Sequence, residues 1–212
     1  EIMSSDWSSD VCSSDLDALK VSTADYAEIR IETQDWSGAS YRGEELDSVG
    51  TSRFEGGIAR ACHRGGWGIS VFDSLENLEE HVREACESAA LIGQATTQLG
   101  DAPVPEDEIV PVELAHDFRG VSVQDKLDTI GRYNDIILTA DDRVESSFVS
   151  YQEAFRTVHF ASTRGAYFME ERPRVMLHLA AVARDGNVVQ RASESYSSAQ
   201  TYDLLLGRGA DA

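Results

Sequence analysis

The sequence predicts an α+β fold of two subdomains, each a mainly antiparallel sheet packed with one long helix. Three observations lead there. Period-two alternation recurs in both halves of the chain, and each half holds one stretch of helical periodicity. Glycine turn signals separate the alternating runs. A segment rich in proline and acid, with Pro103, Pro105 and Pro111 beside Asp101, Glu106, Asp107 and Glu108, divides the halves. The expected organisation is a head over 1–16, a first subdomain over 17–95, a linker over 96–120 and a second subdomain over 121–212.

The head, D-W-S-S-D-V-C-S-S-D-L over 6–16, resembles one translated frame of a common sequencing-library adapter, so it is left out of fold reasoning. Trp7 and Cys12 fall in it, residues 4–16 are expected to pack against nothing, and 17–21 read as the stub of a truncated helix. Over 25–33, Ala27, Ile29 and Ile31 alternate with Tyr26, Glu28, Arg30 and Glu32, which is a strand pattern. Ser37-Gly38 reads as a turn with a return strand from Ala39, and Gly43 as a turn or bulge. From Gly56 to Ala95 come a strand, the turn Arg64-Gly65-Gly66, a return strand and a helix. Trp67, Ile69 and Val71 share one face of that return strand. The helix, from Leu75, carries an apolar stripe of Leu75, Leu78, Val82, Ala85, Cys86, Ala89 and Ile92, with Asp73 or Ser74 as its cap.

In the second half, Ser122 caps a helix with Asp125 at the capping-box position and an inner face of Val123, Leu127, Ile130, Asn134 and Ile137. Period two resumes at Arg143. Val144, Ser146, Phe148 and Ser150 line one side of a strand, and Val158 and Phe160 one face of the next. Ser162-Thr163-Arg164-Gly165 is a turn. The strand over 175–182 is apolar at every second position on both faces apart from His178, which predicts burial on both sides. Asp185-Gly186 then marks a hairpin.

Composition narrows the function classes. With 38 acids against 18 bases, the net charge of −20 disfavours nucleic acid and anionic membranes as partners. There is no run of about eighteen apolar residues to span a bilayer. Outside the head only Cys62 and Cys86 remain, which fits a reducing compartment and a cytoplasmic location better than a disulfide framework.

No catalytic, cofactor-binding or metal-binding residue emerges. Cys62-His63 are neighbours on a strand and point to opposite faces, so a buried thiol beside a turn histidine outweighs a metal pair. His81 and Cys86 do not share a helix face, and Cys86 belongs to the apolar stripe. His116, His159 and His178 are isolated, and His178 reads as a hydrogen-bonded core histidine. Glu170-Glu171 and Asp141-Asp142 read as solvated turn acids rather than an acid/base pair. Gly65-Gly66-x-Gly68 lies between strands, where a phosphate loop would open a helix. Trp67 is more readily packing than a binding platform.

Several blocks nonetheless resemble the TldD/PmbA family of metallopeptidases in order and spacing: A-D-Y-A-E-I-R-I-E, Y-R-G-E-E-L-D-S-V, the hairpin with G-G-W-G, then D-K-L-D-T-I, D-R-V-E-S-S-F-V-S-Y, S-T-R-G-A-Y and V-A-R-D-G-N-V-V-Q. The resemblance covers 24–95 and 121–206. It implies the N-terminal part of a cytoplasmic peptidase that works on peptides as a homodimer or a heterodimer with a related subunit. It also implies zinc on a C-terminal H-E-x-x-x-H helix of the full-length protein, and none in this part. The alternative is a non-catalytic PmbA-like partner subunit or peptide-binding module.

Overall fold

The computed structural model describes residues 16–94, 99–100 and 108–205. Seven strands and two long helices follow a helical turn at 16–19: β1 (Tyr26–Arg42), β2 (Glu45–His63), β3 (Gly66–Phe72), α1 (Leu78–Ile92), β4 (Glu108–Val110), α2 (Val123–Thr139), β5 (Val144–Ser162), β6 (Tyr167–Asp185) and β7 (Val188–Ser198). Short 3-10 turns lie at Phe118–Gly120 and Tyr202–Leu205. The strands order as β3-β2-β1-β5-β6-β4, with β7 also on β6. The architecture is mostly antiparallel sheet with few helices. β4 is the exception in direction, pairing parallel with Phe168–Glu170 of β6.

By contacts the chain divides into two compact units, each assembled from separate stretches. Unit 1 takes 1–33, 54–111 and 157–171; unit 2 takes 34–53, 112–156 and 172–212. The four long strands, 17 to 19 residues each, contribute to both. The described end of the 96–120 segment carries β4 and a buried Phe118, so it contributes structure as well as connection.

In unit 1, Ala27, Ile29 and Ile31 of β1 and Ala59 and Ala61 of β2 form an apolar floor with Phe72. On it lie Leu78, Val82, Ala85, Cys86 and Ala89 of α1. Gly68 makes the close seat possible, since a Cβ there would stand 2.0 Å from the Ala85 carbonyl oxygen. The buried face of β3 is therefore Gly66, Gly68, Ser70 and Phe72. Ile69 and Val71 are exposed, with Trp67 half-buried. Leu16 packs partly against this core, and Ala18 and Leu19 are buried in it; the expectation that the head packs against nothing fails at Leu16. The rest of that head lies outside the described residues.

The helix begins at Leu78, not Leu75. Asn77 at φ 60° is the cap residue and its side chain makes no capping bond. Ser74 Oγ instead accepts from Glu76 N at 3.2 Å, inside the turn before the helix. Ile92 is exposed at the far end. The β2–β3 turn is Arg64-Gly65, both at positive φ, the two-residue hairpin geometry that suits the strand twist.

In unit 2, α2 is capped as expected: Ser122 Oγ accepts from Asp125 N at 3.1 Å. Its buried face is Lys126, Thr129, Ile130, Tyr133 and Asn134. Val123, expected inward, is exposed. The i, i+3, i+4, i+7, i+8 spacing is regular, but polar members disguise it. This face covers Val149, Tyr151 and Phe155 of β5 with Val175 and Leu177 of β6.

Three strand expectations are corrected. β1 runs unbroken through Ser37-Gly38, because Gly38 is a close-packing site: a Cβ there would lie 2.7 Å from the Trp36 ring and 3.0 Å from the Tyr151 carbonyl. The turn falls at Gly43-Glu44. β5 is a single 19-residue strand where two were expected, since its buried set continues through Tyr151, Glu153 and Phe155. β6 is buried on one face only around Val175 and Leu177, for Arg174 and Met176 are exposed. The Gly186-Asn187 turn, with Asp185 opposite Val188, matches its hairpin signal.

Candidate functional site

The residues singled out in the sequence scatter over both units. In unit 1, Cys62 is a buried free thiol in register with Trp67, while His63 is in register with Gly66 on the other face. His63 Nδ1 stands 3.6 Å from Asp25 Oδ1. Trp67 supports the Arg60 guanidinium, 4.7 Å over its ring, and meets Tyr26 edge-on at 6.1 Å. Arg60 reaches Glu28 at 3.1 Å, so this tryptophan braces an ion pair. Cys86 lies in the core with its sulfur 3.5 Å from Ser22 Oγ. His159 is buried with no partner at Nδ1, and burial pushes its imidazole below the ordinary value. The glycine run is the hairpin and the seat of α1 described above. Glu170 and Glu171 sit half-buried within β6, where turn acids were expected.

His81 meets a second polar contact that the sequence did not pair with it. Ser70 Oγ lies 2.8 Å from His81 Nδ1 and donates to Glu84 Oε2 at 2.6 Å. Serine, histidine and carboxylate are thus together, but in the wrong order for nucleophilic catalysis. There the histidine stands between hydroxyl and carboxylate, one ring nitrogen on each. Here the hydroxyl stands between the other two, its proton held by Glu84. The trio ties β3 to α1.

In unit 2, His116 Nδ1 lies 2.7 Å from Asp203 Oδ1 and its ring meets Tyr202 edge-on. That hydrogen bond holds the Asp203 carboxyl below the usual range. His178 Nδ1 contacts Ser195 Oγ at 2.8 Å across the β6–β7 ladder. Asp141 accepts from the backbone and guanidinium of Arg143, which lowers its carboxyl and fixes the turn into β5.

One buried charged cluster was not singled out from sequence. Lys126 of α2 and Glu153 of β5 are 6% and 8% exposed, with Nζ and Oε1 2.8 Å apart. The Tyr151 hydroxyl donates to the other Glu153 oxygen. Burial first, and that bond next, push the Tyr151 phenol far above its ordinary value. With an ammonium on one oxygen and a phenol on the other, Glu153 is a saturated anchor rather than an accessible base. The usable signal was a lysine at a core position of the helical stripe, one of only two lysines in the chain.

Among the described residues, no group of three or more His, Cys, Asp or Glu side chains could hold a metal ion. None of their helices is long and apolar enough to cross a membrane.

Comparison with known proteins decides the family. Two family models match in order: the PmbA/TldA metallopeptidase domain 1 over residues 27–92, and the central domain of the same family over 116–211. The chain belongs to the PmbA/TldA metallopeptidase family. A metalloprotease of Synechocystis sp. is 32% identical over 185 residues, covering 87% of this chain and 40% of the relative. A metalloprotease of Methanothermobacter thermautotrophicus is 24% identical over 181 residues, covering 85% and 39%. The chain thus spans about two fifths of the length of these curated relatives. TldE from Thermococcus kodakarensis has the same fold over 91% of this chain and 43% of its own, with a TM-score of 0.68 and 16% identity. A protein described as a modulator of DNA gyrase from Bacteroides thetaiotaomicron matches over 93% and 46%, with a TM-score of 0.76 and 15% identity.

A metallopeptidase family implies a metal generally. The described residues of this PmbA/TldA chain offer no group of three or more ligands for one: the sets found are two-residue pairs such as His116–Asp203 and a Ser70-His81-Glu84 brace. No catalytic step is therefore derived through a metal here.

Proposed function

We propose that this chain is the N-terminal, non-catalytic portion of a PmbA/TldD-type metal-dependent peptidase that cleaves peptides and small unfolded proteins. Its two domains, each built on sheet with one long helix, act as scaffold. They supply dimer contacts, as a homodimer or with a related subunit, and part of the channel that admits extended peptide. The full-length protein works in the cytoplasm, and its zinc and catalytic residues come from the length of the relatives that this chain does not match.

The observation that carries this reading is the ordered match to domain 1 and the central domain, together with coverage of only two fifths of relatives named metalloproteases. A second reading, a non-catalytic partner subunit or peptide-binding module, is favoured by β7: among the described strands it pairs with β6 alone, and most of its residues are exposed, an open edge of the kind that captures extended peptides by strand addition. The full-length gene product, assayed on unstructured peptides with and without a chelator, separates the two. Chelator-sensitive hydrolysis supports the peptidase; peptide binding without hydrolysis supports the module.

A further inference from the structure

One cleft of unit 2 joins both signs of charge to a buried hydroxyl. Its volume is about 660 Å³, and His116, Asp125, Asp128, Thr129, Arg132 and Tyr202 line it. Small-molecule sites occupy roughly 300–1,000 Å³. Asp125, Asp128, Thr129 and Arg132 stand at i, i+3, i+4 and i+7 of α2, so they share one face of the helix. The other wall comes from two segments that run together: Tyr202 N donates to His116 O at 3.0 Å, Ala115 N donates to Gln200 O at 3.1 Å, and the His116 ring meets Tyr202 edge-on.

Tyr202 is 2% exposed, and its hydroxyl oxygen is buried without a hydrogen-bond partner among the described residues. The neighbouring Thr129 hydroxyl is already engaged: it donates to the Asp125 carbonyl at 2.8 Å and accepts from Arg132 Nη2 at 3.4 Å. Burial pushes the Tyr202 phenol above its ordinary value, so it keeps its proton and is a donor without an acceptor. Leaving such a group unsatisfied is costly, and a ligand oxygen at its tip removes the cost. The carboxylates of the cleft are held by neutral donors. Ser122 Oγ donates to Asp125 Oδ2 at 2.6 Å, and Gln124 Nε2 to Asp128 Oδ1 at 2.7 Å. These bonds orient the two charges without cancelling them.

Two carboxylates at one end of the row and a guanidinium at the other complement a molecule with an ammonium at one end and a carboxylate at the other. The helix rises about 6 Å over the four residues from Asp128 to Arg132. Two extended residues of peptide span about 7 Å. A free amino acid carries both charges on one carbon and is too short for that row. We propose that this cleft binds a dipeptide with free termini, its ammonium on Asp125 and Asp128, its carboxylate on Arg132, and one of its oxygens on the Tyr202 hydroxyl. The inference does not depend on the peptidase reading; it goes beyond it by giving this part of the chain a site for short fragments of the kind that peptide hydrolysis releases.

The test is an NMR titration of the 212-residue chain with alanylalanine, its N-acetyl form, its C-terminal amide and free alanine. We expect alanylalanine to shift the amides of Asp125, Asp128, Arg132 and Tyr202, and each of the other three to bind at least about tenfold more weakly, since each lacks one charge or the span. Arg132→Gln should remove the preference for acid over amide, and Asp128→Asn should weaken the preference for the free over the acetylated amine. Tyr202→Phe removes only the orphaned hydroxyl. The unliganded variant should be as stable in urea as the parent chain or more so, while its affinity for alanylalanine falls about three- to tenfold. No saturable binding of alanylalanine, or shifts confined to other residues, would overturn the proposal. So would equal binding of the acetylated form, the amide or alanine. A Tyr202→Phe chain that loses stability would show the hydroxyl already partnered, and one that keeps full affinity would show it unused; either result also overturns the proposal. Because the readout is dipeptide binding by this chain, it can fail while chelator-sensitive hydrolysis by the full-length protein stands, and the reverse.

Discussion

Lys126 and Glu153 are 27 residues apart on different elements, and their charged atoms meet at 2.8 Å with both side chains buried. This pair fixes the start of α2 to β5. Removing one partner leaves the other charge buried and unpaired, a larger loss than breaking an exposed pair would cause.

Lys126→Met should cost about 3–5 kcal/mol of unfolding free energy, read by urea denaturation. The double variant Lys126→Met/Glu153→Leu should recover most of that loss, since hydrophobic replacement of a whole buried pair is close to neutral. A single variant within about 0.5 kcal/mol of wild type would show that the pair is not desolvated.

Gly68 under Ala85 sets the spacing of α1 on β3. Gly68→Ala forces a methyl against a backbone carbonyl, which cannot rotate away, so the helix must lift. The expected loss is about 1–3 kcal/mol. Gly120→Ala, where a Cβ meets nothing within 4 Å, should stay within about 0.5 kcal/mol. Denaturation of both variants by urea checks the contrast.

His159 gives a pH signature. Burial lowers its folded-state pKa, so the unfolded chain binds a proton that the folded chain refuses. Stability must then fall as pH drops through the ordinary histidine value near 6.5 and continues down to the folded pKa. Above about 6.5 the group contributes no slope. His159→Leu should flatten that part of the stability curve between about pH 7 and pH 5. An unchanged slope would assign the acid sensitivity to other groups.

The fold was legible wherever backbone chemistry is local. Arg64-Gly65-Gly66, Asp185-Gly186 and the Ser122 cap are short-range signals; the cap is where it was expected, and the two turns fall at Arg64-Gly65 and Gly186-Asn187, within one residue of their signals. Gly38 misled because a glycine in a strand and a glycine in a turn look alike until its neighbours are known; only the Trp36 ring and the Tyr151 carbonyl distinguish them. The 19-residue β5 was read as two strands because Ser147 and Glu153 are polar members of a buried set. Lys126 was hidden for the same reason: its burial depends on a partner on another element, which helical periodicity cannot see. For Cys62-His63, alternation along a strand was enough to keep thiol and imidazole on opposite faces.

The most direct test of the central claim is a paired measurement on the full-length protein and on this chain: bound metal per molecule after dialysis, and hydrolysis of unstructured peptides with and without chelator. The account predicts a tightly held metal and chelator-sensitive turnover in the full-length protein, and neither in the 212-residue chain. One firmly bound zinc per 212-residue chain, with turnover lost in Cys62→Ala or His63→Ala, would contradict it.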